Sequence, residues 1–461
     1  MRDHDNNCNS GTDNAGTGRR RVLALSGGLL TATALGSIGS ASAEPSEIEL
    51  TEDPGANSPG SGIAPADGWA STDWLTDRPL QVVRVTNLKA GGPGSFKHAV
   101  EDVDGPRIVV FEVGGVIDMQ QQDIEAEEPD LFVAGQTAPD PGITITRTSG
   151  PGVEFDEENM LVQHIRSRPG TDIEYGEPAD SMVVGDDGHN VIFDHCSVSW
   201  GSEENMSVNA GSASADITFS NNINGEGLKD TTGVVRDDGD DQRAYGTLVG
   251  NEAETTAILG NLYANNWRRN VRLKGGTSTV VASNVTYNVE AANRIGGGID
   301  DPSARTSFVA NAFRSGDESD FSFPFIYTGD ETPIDLHVSD NDVEDSFQLL
   351  DDDAVDDGII EVHDEPPLWP DGLTPVQDPF GQQLNTVGAR PAQRTPIDER
   401  IVEHTIERGG THIDSQDEVG GYPNLPETER ELSIPSDPND FTAWLQQHTR
   451  AVELPGETAP N

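Results

Sequence analysis

Two short stretches of this 461-residue chain carry residue types that suit ionic chemistry. Glu203 and Glu204 stand side by side just after the β-rich run Asn190 to Phe193 and the pair Asp194-His195 that ends it. Hard carboxylates gathered after a strand suit an oxygen-ligated cation such as calcium, which takes roughly six to eight oxygens in irregular geometry. The second stretch places Arg268, Arg269, Arg272 and Lys274 within seven residues, on a chain with 28 Lys and Arg against 81 Asp and Glu. Cations crowded together on so acidic a protein point to an anion. Pairing with acids of neighbouring strands is the bland alternative.

The elements that must position these residues are short, β-rich and repetitive. Related runs begin at Met160, Val191, Ile217, Ala257, Val280 and Ser307, each with a polar residue near its end: His164, His195, Asn221, Asn261, Asn284 and Asn311. Spacings of this order mark a repeat array, and the strand inside each unit favours a β-solenoid over helical repeats. Asparagines at equivalent turns, Asn221, Asn222, Asn261, Asn284 and Asn311, are expected to stack as a hydrogen-bonded ladder. Two-residue hairpin turns are too sparse for a sandwich. The expected fold is all-β, a single-stranded right-handed parallel β-helix over residues 66–335. Residues 44–65 read as a disordered acidic linker. One short helix is expected at Gly94 to Val100, and residues 336–461 read as an acidic extension that packs on or caps the solenoid, with short helices at Ile397 to Glu407 and Asp440 to Thr449.

The stretch from Asn190 to Val208, with Asp194-His195 running on to Ser199-Trp200-Gly201, resembles the Asp-His strand of pectate lyases in polysaccharide lyase family one, in its Ser-Trp-Gly subgroup. Arg269 to Lys274 is similar to that family's Arg-x-Pro-x-x-Arg strand, with Val271 at the proline and Lys274 at the last arginine. The resemblance spans roughly residues 82 to 315. It implies cleavage of 4-linked galacturonan by calcium-assisted β-elimination: the C5 proton beside the uronate carboxylate is removed and the C4 oxygen is expelled. In that scheme Arg269 is the base. Lys274, Arg272 and, more loosely, Lys229 hold substrate carboxylate, and Arg236 or Arg243 could serve in place of Lys229. Asp180, Glu203 and Glu204 hold Ca2+, while Pro178 and Ser207 stand where the family has further ligands and Glu177 is a candidate to compensate. Calcium and the flanking cations stabilise charge developing on the carboxylate. An arginine base is chemically awkward, because a guanidinium titrates above ~12. Asp194 and His195 read chiefly as turn residues that satisfy backbone.

Composition and the N-terminal stretch bound the setting. Residues 1–43 read as a twin-arginine signal peptide, with Arg19-Arg20-Arg21, an apolar run of small residues and Leu, and Ala41-Ser42-Ala43 as the cleavage site, which implies export and secretion. Cys8 would leave with it, so Cys196 has no intramolecular disulfide partner. A net charge of −53 excludes nucleic acid as a natural partner. The same acid excess suggests a surface adapted to molar salt, where charges are screened within about 3 Å. Acidic runs such as Asp237 to Asp241 and Asp351 to Asp353 are read as solvated surface. Gly296 to Asp300 resembles a calcium-roll repeat only once. No later segment is apolar enough to span a membrane, and a monomer acting on an acidic polysaccharide is expected. Competing classes are a calcium-independent pectin lyase, a glycoside hydrolase, and a non-catalytic carbohydrate-binding or surface solenoid. The hydrolase would need acids on both sides of the bond. His404 and His412 carry no metal pattern, and the sequons at Asn205 and Asn284 fall inside the repeat.

Overall fold

A computed structural model of the chain describes residues 46–51, 67–171, 179–209, 214–231, 242–250, 253–297 and 303–460. The described strands form three sheets of twelve, ten and eight strands, with successive coils stacked in parallel and only the edge strands Glu47–Ile48 and Thr428–Glu429 pairing antiparallel. β-Branched and aromatic residues favour this arrangement, because inward positions of successive coils meet directly. Val162, Phe193, Phe219, Ile258, Val281, Phe308 and Val338 form one such apolar row, and the Phe193 and Phe219 rings stack at 5.2 Å. This is the expected all-β parallel solenoid.

The corner after the first sheet explains the asparagine ladder and corrects its register. His164, His195, Asn221, Gly260, Ser283, Ala310 and Asp340 all take left-handed backbone there, with φ between 50° and 65°. The residue one place further on carries the ladder. Asn222, Asn261, Asn284, Asn311 and Asn341 each accept the backbone N–H of the preceding coil on Oδ1, at 2.7 to 3.0 Å. Asn221 therefore leaves the ladder: it is a corner residue, and its Nδ2 donates to Asp194 at 2.9 Å. Asn205 and Asn284, the two sequon asparagines, are buried. Asn261→Ala would strip partners from the Asn222 N–H and the Phe219 carbonyl at once. A loss of about 1–3 kcal/mol is expected, read as a lowered denaturant midpoint in molar salt.

The third sheet positions the site. One row of it runs, coil by coil, through Glu125, Glu154, Val183, Ser207, Leu248, Arg272, Arg294 and Tyr327. The next row, Phe155, Val184, Val208, Val249, Leu273 and Ile295, lies in the core. The strands' period of two thus aims the first row away from the core. That row is acidic at one end and basic at the other. Burial and the surrounding acids push Glu154 up to about 7.

Several boundaries differ from expectation. Within the expected 44–65 linker, Glu47–Ile48 pairs antiparallel with Leu80–Val85, because Ile48 and Leu50 are apolar enough to bury against Trp74 and Phe441; residues 52–65 lie outside the described set. Strand pairing also continues past residue 335, through Ile334–Ser339 to Ile360–Val362. The signal peptide, Cys8, Glu177, Pro178, Arg236, Asp237 to Asp241 and Gly298 to Asp300 lie outside the described residues. The expected helices run over Phe96–Glu101, Pro396–Glu407 and Pro438–Glu453, and short ones are added at Asp352–Asp356 and Pro379–Gln382. Of the expected ones, the last two lie against the solenoid, the longer one sharing a core with Ile108, Phe132 and Leu161. Asp398, on Pro396–Glu407, pairs with Arg166 and Arg168, each at 2.7 Å, with all three side chains fully buried. Among the described residues no helix is long and apolar enough to cross a membrane.

Candidate active site

Parallel register brings the carboxylates together. Asp180 precedes the strand Met182–Val184, Glu204 opens Glu204–Val208, and the pairing of Met182 with Met206 sets the two acids opposite each other. The Glu204 N–H donates to Asp180 Oδ1 at 2.9 Å, and the Ser207 hydroxyl donates to Oδ2 at 2.6 Å. Ser207, at a position where the family resemblance expects an acid, thus holds the Asp180 carboxylate. Burial, with the Glu204 charge added, raises Asp180 well above the ordinary carboxylate range. Burial and Glu204 also raise Glu203, against the pull of Arg243.

The next strand, Tyr245–Val249, pairs Tyr245 with Glu204 and bridges on to Arg268. Arg243, at its start, donates Nε to both Glu203 oxygens at 3.0 and 2.8 Å. Arg269 pairs with Glu204, and its guanidinium lies 3.7 Å from the Tyr245 ring centroid. Burial alone would lower Arg269, but Glu204, Tyr245 and Glu203 together raise it, so it is firmly cationic. Acids and cations therefore alternate with an aromatic ring across adjacent coils of one sheet.

Arg272, on Arg272–Leu273, lies in the outward row beside Arg294. Lys274 follows it, half-buried, and is pulled down to about 8 by burial and by Arg272, Arg269 and Arg294, against Glu204. Lys229 sits apart on the preceding coil, its Nζ 5.3 Å from the Trp267 ring centroid, a ring that Arg268 also covers at 4.3 Å. The expected residues thus assemble on one sheet face, with Lys229 at its margin.

As donors, three clustered carboxylates suit calcium, a hard cation with flexible geometry. Asp180 and Glu203, each raised by burial with the Glu204 charge added, behave as acids that share a site. Their oxygens do not meet at a common point, because Glu203 turns to Arg243 and Glu204 to Arg269. Among the described residues, two acid-histidine groups do close within 4.8 Å: Asp335, Glu361 and His363 at the partly exposed end of the first sheet, and the buried set His164, His195 and Glu453. In the buried set His164 Nδ1 accepts the Arg390 N–H at 3.2 Å, so a neutral ring carries its proton on Nε2, facing Glu453 at 3.3 Å. That nitrogen offers no lone pair to a metal. Asp194, held down at about 2 against its burial by His195, Asn221 and Gln163, buttresses the same corner.

Tyr245, Arg243 as the partner of Glu203, and Arg294 were not singled out for these places. Arg294 had a signal in the sequence, as the outward residue of the strand after Arg272. Tyr245 had none, because its place depends on the length of the insertion before it.

No protein-family model matches the chain. A probable pectate lyase C of Neosartorya fischeri is 35% identical over 254 residues, 54% of this chain and 53% of that protein. Another probable pectate lyase C, of Emericella nidulans, is 28% identical over 388 residues, 78% of this chain and 80% of the relative. The chain spans about half the length of most of the curated relatives it matches. Among solved structures, one described for substrate specificity and the anti β-elimination mechanism of pectate lyase overlaps 73% of this chain and 99% of its own, at 14% identity and a TM-score of 0.48. A pectate lyase bound to a hexasaccharide overlaps the same shares at 15% identity and a TM-score of 0.47.

Proposed function

We propose that this protein is a calcium-assisted polysaccharide lyase that cleaves pectate, a 4-linked galacturonan, by β-elimination. The observation that carries this reading is the juxtaposition, on one face of a parallel β-solenoid, of the acids Asp180, Glu203 and Glu204 with Arg269, Arg272 and Lys274. The likeness to proteins named probable pectate lyase C supports it. Asp180, Glu203 and Glu204 would hold Ca2+, which when bound supplies positive charge to a uronate carboxylate. The cations Arg272 and Lys274 neutralise the same or the adjacent carboxylate and so favour loss of the C5 proton. Arg269 is the family's position for the group that takes it. Lys229, over Trp267, contributes charge at the edge of the face. In this reading the protein is exported through a twin-arginine signal, is secreted, tolerates molar salt through its acidic surface, and acts as a monomer.

Purified protein acting on polygalacturonate in high salt should release unsaturated ends, seen by their ultraviolet absorbance. Chelation should lower that rate by about 10²-fold or more, since a bound divalent ion contributes several kcal/mol of charge stabilisation. An unchanged rate in EDTA would transfer the assignment to a calcium-independent pectin lyase. Absence of unsaturated ends from every uronan tried would leave a carbohydrate-binding solenoid.

A further inference from the structure

We infer that Asp335, Glu361 and His363 form a zinc site that ties together the last two described strands of the first sheet, apart from the lyase face. The two strands carry matching acid-x-His triplets, Asp335-Leu336-His337 and Glu361-Val362-His363. Parallel register sets Asp335 beside Glu361, and the His363 N–H donates to the Leu336 carbonyl at 2.8 Å, which carries the pairing on to His363. Leu336 lies in the core. The strands' period of two therefore turns the acids and the histidines outward on one face. One ligand atom from each of Asp335, Glu361 and His363 lies within 4.8 Å of the other two.

Two features set this group apart from the chain's many surface acids. His363 Nε2 stands 3.2 Å from Asp335 Oδ1, close to the spacing of neighbouring ligands on a tetrahedral ion held at about 2.0–2.1 Å. A dication would take the place of the proton that those two atoms share. The His363 backbone is also fixed from behind: the buried His337 donates Nδ1–H to the His363 carbonyl at 3.0 Å, and its Nε2 meets the Ser339 hydroxyl at 3.1 Å. With both nitrogens engaged, His337 is a support and His363 the ligand. Glu361 is exposed, so its side chain can swing inward without moving the strand.

The surrounding charge calls for a cation. Asp335 and Glu361 stand directly opposite each other, an arrangement that destabilises a sheet when both are ionised. Arg305, the neighbour of Asp335 on the preceding coil, turns to the Ser278 hydroxyl at 2.8 Å. Asp364 and Glu365 line one open cavity with Asp335 and His363 and add negative charge. An imidazole among carboxylates suits zinc, whereas calcium takes oxygen ligands. Three protein ligands leave a fourth position to water. Ile360–Val362 is the end of its sheet, and a metal bridging it to Ile334–Ser339 would close the open end of the solenoid, which repeat folds must cap.

The full chain, stripped of metal and held in molar NaCl with excess Ca2+, would be titrated with Zn2+ by calorimetry and melted with and without it. Wild type should bind Zn2+ despite the calcium, and its melting temperature should rise by a few degrees. His363→Gln and Asp335→Asn should each weaken Zn2+ by about 10²-fold or more and lose that rise. Both should melt close to metal-free wild type, because an exposed acid-histidine pair contributes little by itself. His337→Asn, which removes only the support, should cost about tenfold in affinity. Glu331→Gln, at an exposed acid outside the set, should change neither quantity. Should His363→Gln fail to fold, Glu361→Gln at the exposed ligand answers the same question. Zn2+ binding that calcium displaces, or that survives unchanged in these ligand variants, would be adventitious binding to an acidic surface and would overturn the site.

Discussion

Arg269→Ala is expected to lower kcat on polygalacturonate by about 10²–10³-fold, the usual effect of deleting one preorganised charge from a transition state. Arg269 is the cation that joins the two halves of the site: it pairs with Glu204 on the acidic side and belongs to the strand stretch that carries Arg272 and Lys274. Removing it leaves the Glu204 carboxylate without its counter-ion beside the uronate charge. Arg269→Lys should recover part of the rate, since it restores charge without the planar contact to Tyr245. Thermal melting in the same buffer should fall, because the buried Glu204 loses its counter-ion, and Arg269→Lys should restore part of it. An Arg269→Ala protein with wild-type kcat and an intact fold would mean that the chemistry lies elsewhere on the solenoid.

The largest expected effect on stability belongs to Asp398. Its carboxylate meets Arg166 Nε and Arg168 Nη2, each at 2.7 Å, with no solvent at any of the three side chains. Against the burial that opposes it, the two arginines hold Asp398 below the usual carboxylate range. Asp398→Ala leaves two guanidinium groups in the interior without their counter-ion, a change that costs about 3–5 kcal/mol where it has been measured. Denaturant unfolding followed by circular dichroism should show that loss. The informative control is the triple variant Arg166→Met, Arg168→Met, Asp398→Leu, which should regain most of the stability, because apolar replacement of a buried ion group is often neutral. A single variant as stable as wild type would mean that water reaches the arginines, contrary to the packing described.

The residues differ in how much of this was legible from sequence. The short runs at Val191, Ile217, Ala257 and Val280 betrayed the solenoid, because inward positions repeat a fixed apolar pattern. Glu203-Glu204 and Arg269 to Lys274 stood out for a related reason: charge is clustered there against the trend of the chain. The ladder was legible in kind but slipped by one residue at Asn221, since corner backbone is left-handed in Asn, Gly, Ser and Ala alike and composition does not mark which residue turns. Tyr245 beneath Arg269 depended on how many residues the preceding insertion uses. The seating of Asp398 against Arg166 and Arg168 lay beyond any local pattern, because it joins positions more than 200 residues apart.

That last pairing sets an order in time. Arg168 enters the solenoid early, yet the carboxylate that neutralises it is made 230 residues later. At synthesis rates of about 5–20 residues per second, the wait is on the order of ten to fifty seconds. Coils can stack during that interval, but the second sheet keeps two uncompensated cations until Pro396–Glu407 docks. A nascent chain that stops short of residue 398 should therefore remain protease-sensitive around Arg166 and Arg168, and resistance should appear only once the helix has been released. The C-terminal segment acts as the latch that tells a finished molecule from a partial one.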